Sequence, residues 1–220
     1  MPKLQAVIFD MDGVLIDSEP FWQMAEYDVM NRLGLNITLS QIAETTGLRI
    51  DQVVEYWYAR FPWPNYDNAM TAQAIVEQVV NHINESGKPM LGVYTALDYC
   101  LEHGIKVGLA TSSSTTIINA VLNKLGIRHY FHAIQSAEKL TYGKPHPEVY
   151  LNCAHALAVN PTHCLAIEDS FNGLIAARAA NMHTIAIPEP HLANLSKWVI
   201  GHHQLSNLAQ LPEFLDSFSS

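Results

Sequence analysis

An apolar run from Ala6 to Phe9 ends abruptly in two acids, Asp10 and Asp12, with Gly13 just behind them. Two carboxylates on one loop can hold a hard cation, and one of them can attack phosphorus. Three further clusters carry complementary chemistry. Thr111 and Ser112 offer hydroxyls, Lys144 offers a positive charge, and Glu168 with Asp169 offers more oxygen ligands. Asp10 and Asp169 suit Mg²⁺, which prefers carboxylates, carbonyls and water in octahedral geometry. The metal would offset repulsion between an anionic nucleophile and an anionic phosphate. Lys144 and the Thr111 hydroxyl would hold the oxygens of the transferring phosphoryl group. Asp12, close to Asp10 in sequence but pointing elsewhere, could protonate the leaving oxygen and then activate water.

Taken singly, each cluster has a plainer reading. Asp and Gly are ordinary turn formers, Lys144 alone is a solvated loop lysine, and Thr111 suits a helix start. Position decides between the two. From residue 90 the chain alternates strand and helix, the rhythm of a parallel sheet. Strands are expected at 6–9, 105–110, 130–135, 164–167 and 183–187, and helices at 91–103, 115–125, 147–157 and 171–180, with a further helix in the tail. All four polar clusters then fall just past strand carboxyl ends, which in an open parallel sheet lie on one edge. The expected fold is α/β: a Rossmann-like parallel sheet of about five strands with helices on both faces.

Residues 18–87 break that rhythm and show no strand pattern. Ser18-Glu19-Pro20 has the look of a helix start, with a cap, an acid and an opening Pro, for a helix running to about Leu33. Ser40 could cap a short helix, Asp51 a helix over 52–60, and Thr71 a helix reaching Ser86-Gly87, with Phe61-Pro62-Trp63-Pro64-Asn65 as a breaker. The division expected is an α/β core of residues 1–17 and 88–220 with a helical cap of residues 18–87 inserted.

The 220 residues carry a net charge of −9, which disfavours nucleic acid, since phosphate backbones are bound through Lys and Arg. A small phosphorylated metabolite needs only a few local donors and a metal. The first strand begins almost at Met1, so no signal peptide or membrane segment is expected. The three cysteines, Cys100, Cys153 and Cys164, share no metal-ligand spacing and read as reduced thiols of a cytoplasmic protein. The eleven histidines form no recognisable zinc site. Monomer is the default expectation.

Asp10-Met11-Asp12-Gly13-Val14, Thr111, Lys144-Pro145 and Glu168-Asp169-Ser170 resemble, in order and spacing, the four motifs of the haloacid dehalogenase superfamily. The resemblance spans essentially the whole chain, including a helical cap after the first motif, and points to the β-phosphoglucomutase-like branch. Ile16-Asp17-Ser18-Glu19-Pro20-Phe21-Trp22, Thr46-Gly47-Leu48-Arg49-Ile50-Asp51 and Ala137-Glu138-Lys139-Leu140 are most similar to bacterial hexitol and 2-deoxyglucose-6-phosphate phosphatases. The resemblance implies Asp10 as nucleophile and metal ligand, and Asp12 as acid/base with its backbone carbonyl on the metal. It implies Thr111, Ser112 and Lys144 as phosphate-binding, Asp169 as a Mg²⁺ ligand, and Glu168 beside it, bound directly or through water. It also turns the loop around Arg49 toward the active site, making Arg49 a candidate for substrate contact.

Three features narrow the reaction. The segment from Ser18 to Gly87 contains no lysine, only Arg32, Arg49 and Arg60, which excludes the Schiff-base chemistry of phosphonatase relatives. Asp12 argues against dehalogenases, which lack that second acid and Mg²⁺. Trp22 stands where β-phosphoglucomutases carry a cap His, and the cap offers few cations for a second phosphate. The expectation is a Mg²⁺-dependent phosphatase of small sugar or polyol monophosphates working through an aspartyl-phosphate. A sugar phosphomutase is the alternative, and a catalytically idle binding member a further one.

Overall fold

The computed structural model describes residues 4–45 and 47–218. Its centre is a six-stranded sheet of β1 (Ala6–Phe9), β2 (Lys106–Thr111), β3 (Ala133–Ser136), β4 (Cys164–Glu168), β5 (His183–Ala186) and β6 (His203–Gln204), ordered β3-β2-β1-β4-β5-β6. Every neighbouring pair is parallel. All four residues of β1 are buried, because both faces of the sheet are covered, so the strand is a continuous apolar run rather than an alternating one. Val7 and Phe9 face one side, packing with α5 (Val93–Glu102) and α6 (Thr115–Leu125). Ala6 and Ile8 face the other, against α7 (Glu148–Ala156) and α8 (Phe171–Ala179).

Register is what places the chemistry. Phe9 lies level with Leu109 of β2 and Ile167 of β4, so the three strands run out together. Asp10 continues the ladder by one step, its N–H donating to Ile167 C=O at 2.9 Å. The order reverses at β1, which is where the crevice of a parallel sheet opens.

Two expectations shift at the sheet's margins. The third strand starts at Ala133 rather than 130 because Arg128–Tyr130 forms a 3₁₀ turn first. The sixth strand, two residues long, is too short for any sequence pattern to reveal. The tail ends in α9 (Leu211–Phe218).

Residues 19–86 supply α1 (Glu19–Arg32), α2 (Leu39–Ile42), α3 (Ile50–Arg60) and α4 (Asn68–Ser86). Their boundaries differ from expectation for local reasons. The cap of α4 is Asp67, whose carboxylate accepts from Met70 N–H, while Thr71 sits inside the helix with its hydroxyl donating to Asp67 C=O. Asp51 lies within α3 and pairs with Arg49 instead of capping, and Ser40 lies within α2. Ser18 precedes α1 but makes no capping bond.

The chain leaves the sheet and returns to it at one place. Asp17 N–H donates to Lys88 C=O, Met90 N–H donates to Leu15 C=O, and Ile16 bridges Pro89 antiparallel. Helix α4 packs on both α1 and α6, so one apolar cluster runs from the sheet into the inserted helices. No helix among the described residues is long and apolar enough to cross a membrane.

Candidate active site

Past the carboxyl ends of β1 and β4 the three acids Asp10, Glu168 and Asp169 bring one oxygen each within 4.8 Å of one another. Lys144 reaches into this group from the loop before α7. Its ammonium donates to Asp10 Oδ1 and Glu168 Oε1, both at 2.6 Å, and to Ala110 C=O at 3.1 Å. Lys144, Asp10 and Glu168 are buried, with Asp169 half-buried beside them, and a buried charge is tolerated only when paired and hydrogen-bonded.

Burial alone would lower the Lys144 pKa, but the charges of Asp10 and Glu168 outweigh it and hold the ammonium well above its ordinary value. For Asp10, burial and then the Glu168 charge push the pKa up to about 8, with Lys144 opposing. Asp169 is raised well above the usual carboxylate range by burial and by the charges of Asp10 and Glu168. Three acids facing one lysine therefore leave a local excess of negative charge. A divalent cation on the Asp10 and Asp169 oxygens is the group that arrangement fits.

Glu168 is the most heavily engaged of the three. Its Oε1 accepts from Lys144 and from the Tyr150 hydroxyl, and its Oε2 from the Ser170 N–H and hydroxyl. With both oxygens taken by protein donors, Glu168 orients Lys144 and ties the start of α8 to the site. Ser170 completes that link by accepting from Gly173 N–H as the N-cap of α8. The acids also set the glycine nearby. Gly13 has φ +72°, and a Cβ there would lie 2.0 Å from Asp169 Oδ2. Only glycine lets the first loop turn beside the second acid.

Asp12 faces a different set of partners. Its Oδ1 accepts from the Ser18 hydroxyl at 2.6 Å and the Trp22 indole N–H at 3.0 Å, and its Oδ2 from the Ser113 hydroxyl at 2.6 Å. This explains why Ser18 does not cap α1. The hydroxyl is spent on Asp12, binding the first helix of the insertion to the loop after β1. Thr111 is buried at the end of β2, its hydroxyl accepting from Ser113 N–H. Ser112 Oγ lies 3.5 Å from Gly47 C=O.

One cavity connects these groups. Asp10, Asp12, Thr111, Ser112, Lys144 and Asp169 line its sheet side, and Glu19, Trp22, Glu26, Thr45, Gly47 and Leu48 its helical side. The sequence reading therefore has its candidates gathered in one place, with two exceptions to the lining. Glu168 lies behind it, hydrogen-bonded to Lys144 and Tyr150. Arg49 is not among the lining residues. Its guanidinium pairs with both oxygens of Asp51 and donates to the carbonyls of Ala137 and Leu140, clamping the helical insertion onto the loop after β3. Thr46, in the same motif, lies outside the described residues.

Sequence reasoning did not place Ser113, Tyr150, Glu19 or Glu26 at the site, and read Glu19 only as the acid of a helix start. Ser113 was open to recognition, lying in the same Thr-Ser-Ser run as Thr111. Glu26 had a weaker signal: Glu19, Trp22 and Glu26 recur at i, i+3 and i+7, so they share one face of α1.

Residues 7–187 match the family model described as haloacid dehalogenase-like hydrolase. Hexitol phosphatase B of Escherichia coli (strain K12) is 46% identical over 214 residues, covering 95% of each chain. Fructose-1-phosphate phosphatase YqaB of the same organism is 31% identical, covering 84% of this chain and 97% of that one. Among solved structures, a β-phosphoglucomutase from Clostridium difficile superposes with a TM-score of 0.83 at 26% identity, covering 98% of both chains.

Proposed function

The chain belongs to the haloacid dehalogenase-like hydrolases, and from that premise we infer its reaction: it is a phosphatase of small sugar phosphates. The finer reading is hydrolysis of hexitol or hexose monophosphates through an aspartyl-phosphate on Asp10. The observation that carries this assignment is the buried contact of Lys144 with Asp10 at 2.6 Å, beside Asp169 and within one cavity with Asp12. In the proposed sequence, an Asp10 carboxylate oxygen attacks phosphorus while the bond to the sugar oxygen breaks. Asp12 delivers a proton to that oxygen. Water then attacks the aspartyl-phosphate, Asp12 takes its proton, and phosphate leaves with Asp10 regenerated.

Lys144, Thr111 and Ser112 hold the phosphoryl oxygens, and Ser18, Trp22 and Ser113 fix the direction in which Asp12 points. Asp10 and Asp169 would hold Mg²⁺, with the Asp12 backbone carbonyl as a third ligand. When bound, the cation supplies the positive charge that keeps both acids ionised and offsets their repulsion of the phosphate. Residues 18–87 act as a cap that opens and closes about the paired linkers at Asp17 and Lys88, excluding bulk water during transfer. Three free, buried cysteines suit a reducing, cytoplasmic setting.

The test is phosphate release from hexitol, hexose and nucleotide monophosphates with Mg²⁺ and with EDTA. Mg²⁺-dependent release from the polyol and sugar phosphates is expected. Isomerised sugar phosphate formed only when a bisphosphate is added would replace this reading with the mutase one.

A further inference from the structure

We propose that Glu26 forms a subsite for the hydroxyl groups of the substrate's carbon chain, so that the cap end of the cavity takes a neutral polyol tail and refuses a second phosphate. The inference rests on the phosphatase reading above and names the substrate class for that site.

Three observations converge. First, Glu26 lines the cavity yet is only 6% exposed, and its Oε2 has no hydrogen-bond partner among the described residues. A buried polar atom left unpaired costs stability, and a native structure rarely keeps one without a use. Second, its neighbours on the same helix face are Glu19 and the Trp22 indole, so this wall carries acids and a flat ring. Third, no cation of the cap is available there. Arg49 is committed to Asp51 and two carbonyls across the cap–core seam, while Arg32 and Arg60 are exposed. A phosphate dianion at this end would meet carboxyl groups and nothing to balance it.

Chemistry supports a hydroxyl as the partner. Burial, and then the Glu19 charge, push the Glu26 pKa up to about 8, with the Thr45 hydroxyl opposing. A neutral carboxyl both donates and accepts, as an alcohol does, so one side chain can satisfy both halves of a hydroxyl.

The full-length protein with Mg²⁺ is assayed as parent, Glu26→Leu and Glu26→Gln, on a hexitol 6-phosphate and on p-nitrophenyl phosphate, which has no hydroxyl. The readout is the ratio of kcat/KM for the two substrates, which an unrelated loss of folded protein does not move. Glu26→Leu is expected to lower the ratio about 30-fold, and Glu26→Gln, which keeps a donor and an acceptor, less than about 3-fold. Calorimetry in the Asp10→Asn background gives a second readout: Glu26→Leu weakens binding of the hexitol phosphate but not of inorganic phosphate. An unchanged ratio, or equal losses on both substrates, overturns the subsite and leaves the phosphatase reading standing. A parent protein that releases phosphate from neither substrate overturns the phosphatase reading and the subsite with it.

Discussion

The two walls of the cavity are built on opposite principles. The sheet-side wall is fixed by backbone register: Asp10 and Glu168 end adjacent strands, and Lys144 fills the gap between them with three hydrogen bonds. Its one cation is shared by Asp10 and Glu168, and the negative charge left over, with Asp169, is what a divalent cation would balance. Among the described residues the helical wall has acids but no cation, and one oxygen of Glu26 has no partner. The difference teaches where each part of a reaction resides. Bond making needs groups held to a fraction of an ångström, which strands supply, whereas selectivity needs a surface that can change without moving the chemistry.

If that division is right, changes on the sheet side should remove turnover whatever the substrate. Asp10→Asn is expected to lower kcat by at least about 10³-fold on every phosphomonoester, since it removes the proposed nucleophile. A residual rate within tenfold of the parent would mean that Asp10 is not the attacking group. EDTA should abolish release and Mg²⁺ restore it, because Asp10 and Asp169 share a negatively charged corner with Glu168. Lys144→Met should both slow turnover and lower thermal stability, on the order of 3 kcal/mol, by leaving Asp10 and Glu168 buried without their counter-charge. Melting unchanged from the parent would contradict the ion pairs drawn here.

The same division governs what could be read in the sequence. Strand ends were legible because a buried parallel strand is a short apolar run with an abrupt polar stop, as at Phe9–Asp10 and Ile167–Glu168. With the strands in place, one topological rule carried Asp10, Thr111 and Glu168 to a common edge. The helical wall was far less legible. Ser18 has the sequence signature of an N-cap, and nothing in the sequence says that its hydroxyl turns to Asp12 instead. Arg49 illustrates the same limit. Nothing in the sequence chooses between cavity and seam for its long side chain, and the carbonyls that claim it, at Ala137 and Leu140, lie 88 and 91 residues away. Glu26 sits on a helix whose apolar pattern is weak, so burial could not be inferred from its neighbours.

Changes on the helical side should be milder and more selective. Trp22→Phe keeps the ring but removes the N–H on Asp12 Oδ1, and an expected fall of about 10-fold in kcat with little change in KM would mark Trp22 as a positioning residue. A rise in KM alone would make it part of the substrate wall and blur the comparison. Arg49→Ala should cost less, raising KM a few-fold by loosening the seam, and amide exchange in residues 47–50 should quicken.

The last effect, read in stability and not in turnover, is the most diagnostic of the unpartnered acid. The Glu26 pKa is raised from 4.5 to about 8 on folding, by burial and by Glu19. Between those values the unfolded chain has lost the proton and the folded chain retains it. The unfolded state therefore binds fewer protons, and stability falls as pH rises through that window. Glu26→Gln cannot ionise and removes the penalty. Its melting temperature relative to the parent should be nearly level at pH 5 and should climb by on the order of ten degrees toward pH 8. A difference that stays flat across that range would show Glu26 to be ionised and satisfied in the folded protein, and the helical wall would then hold no unpartnered acid.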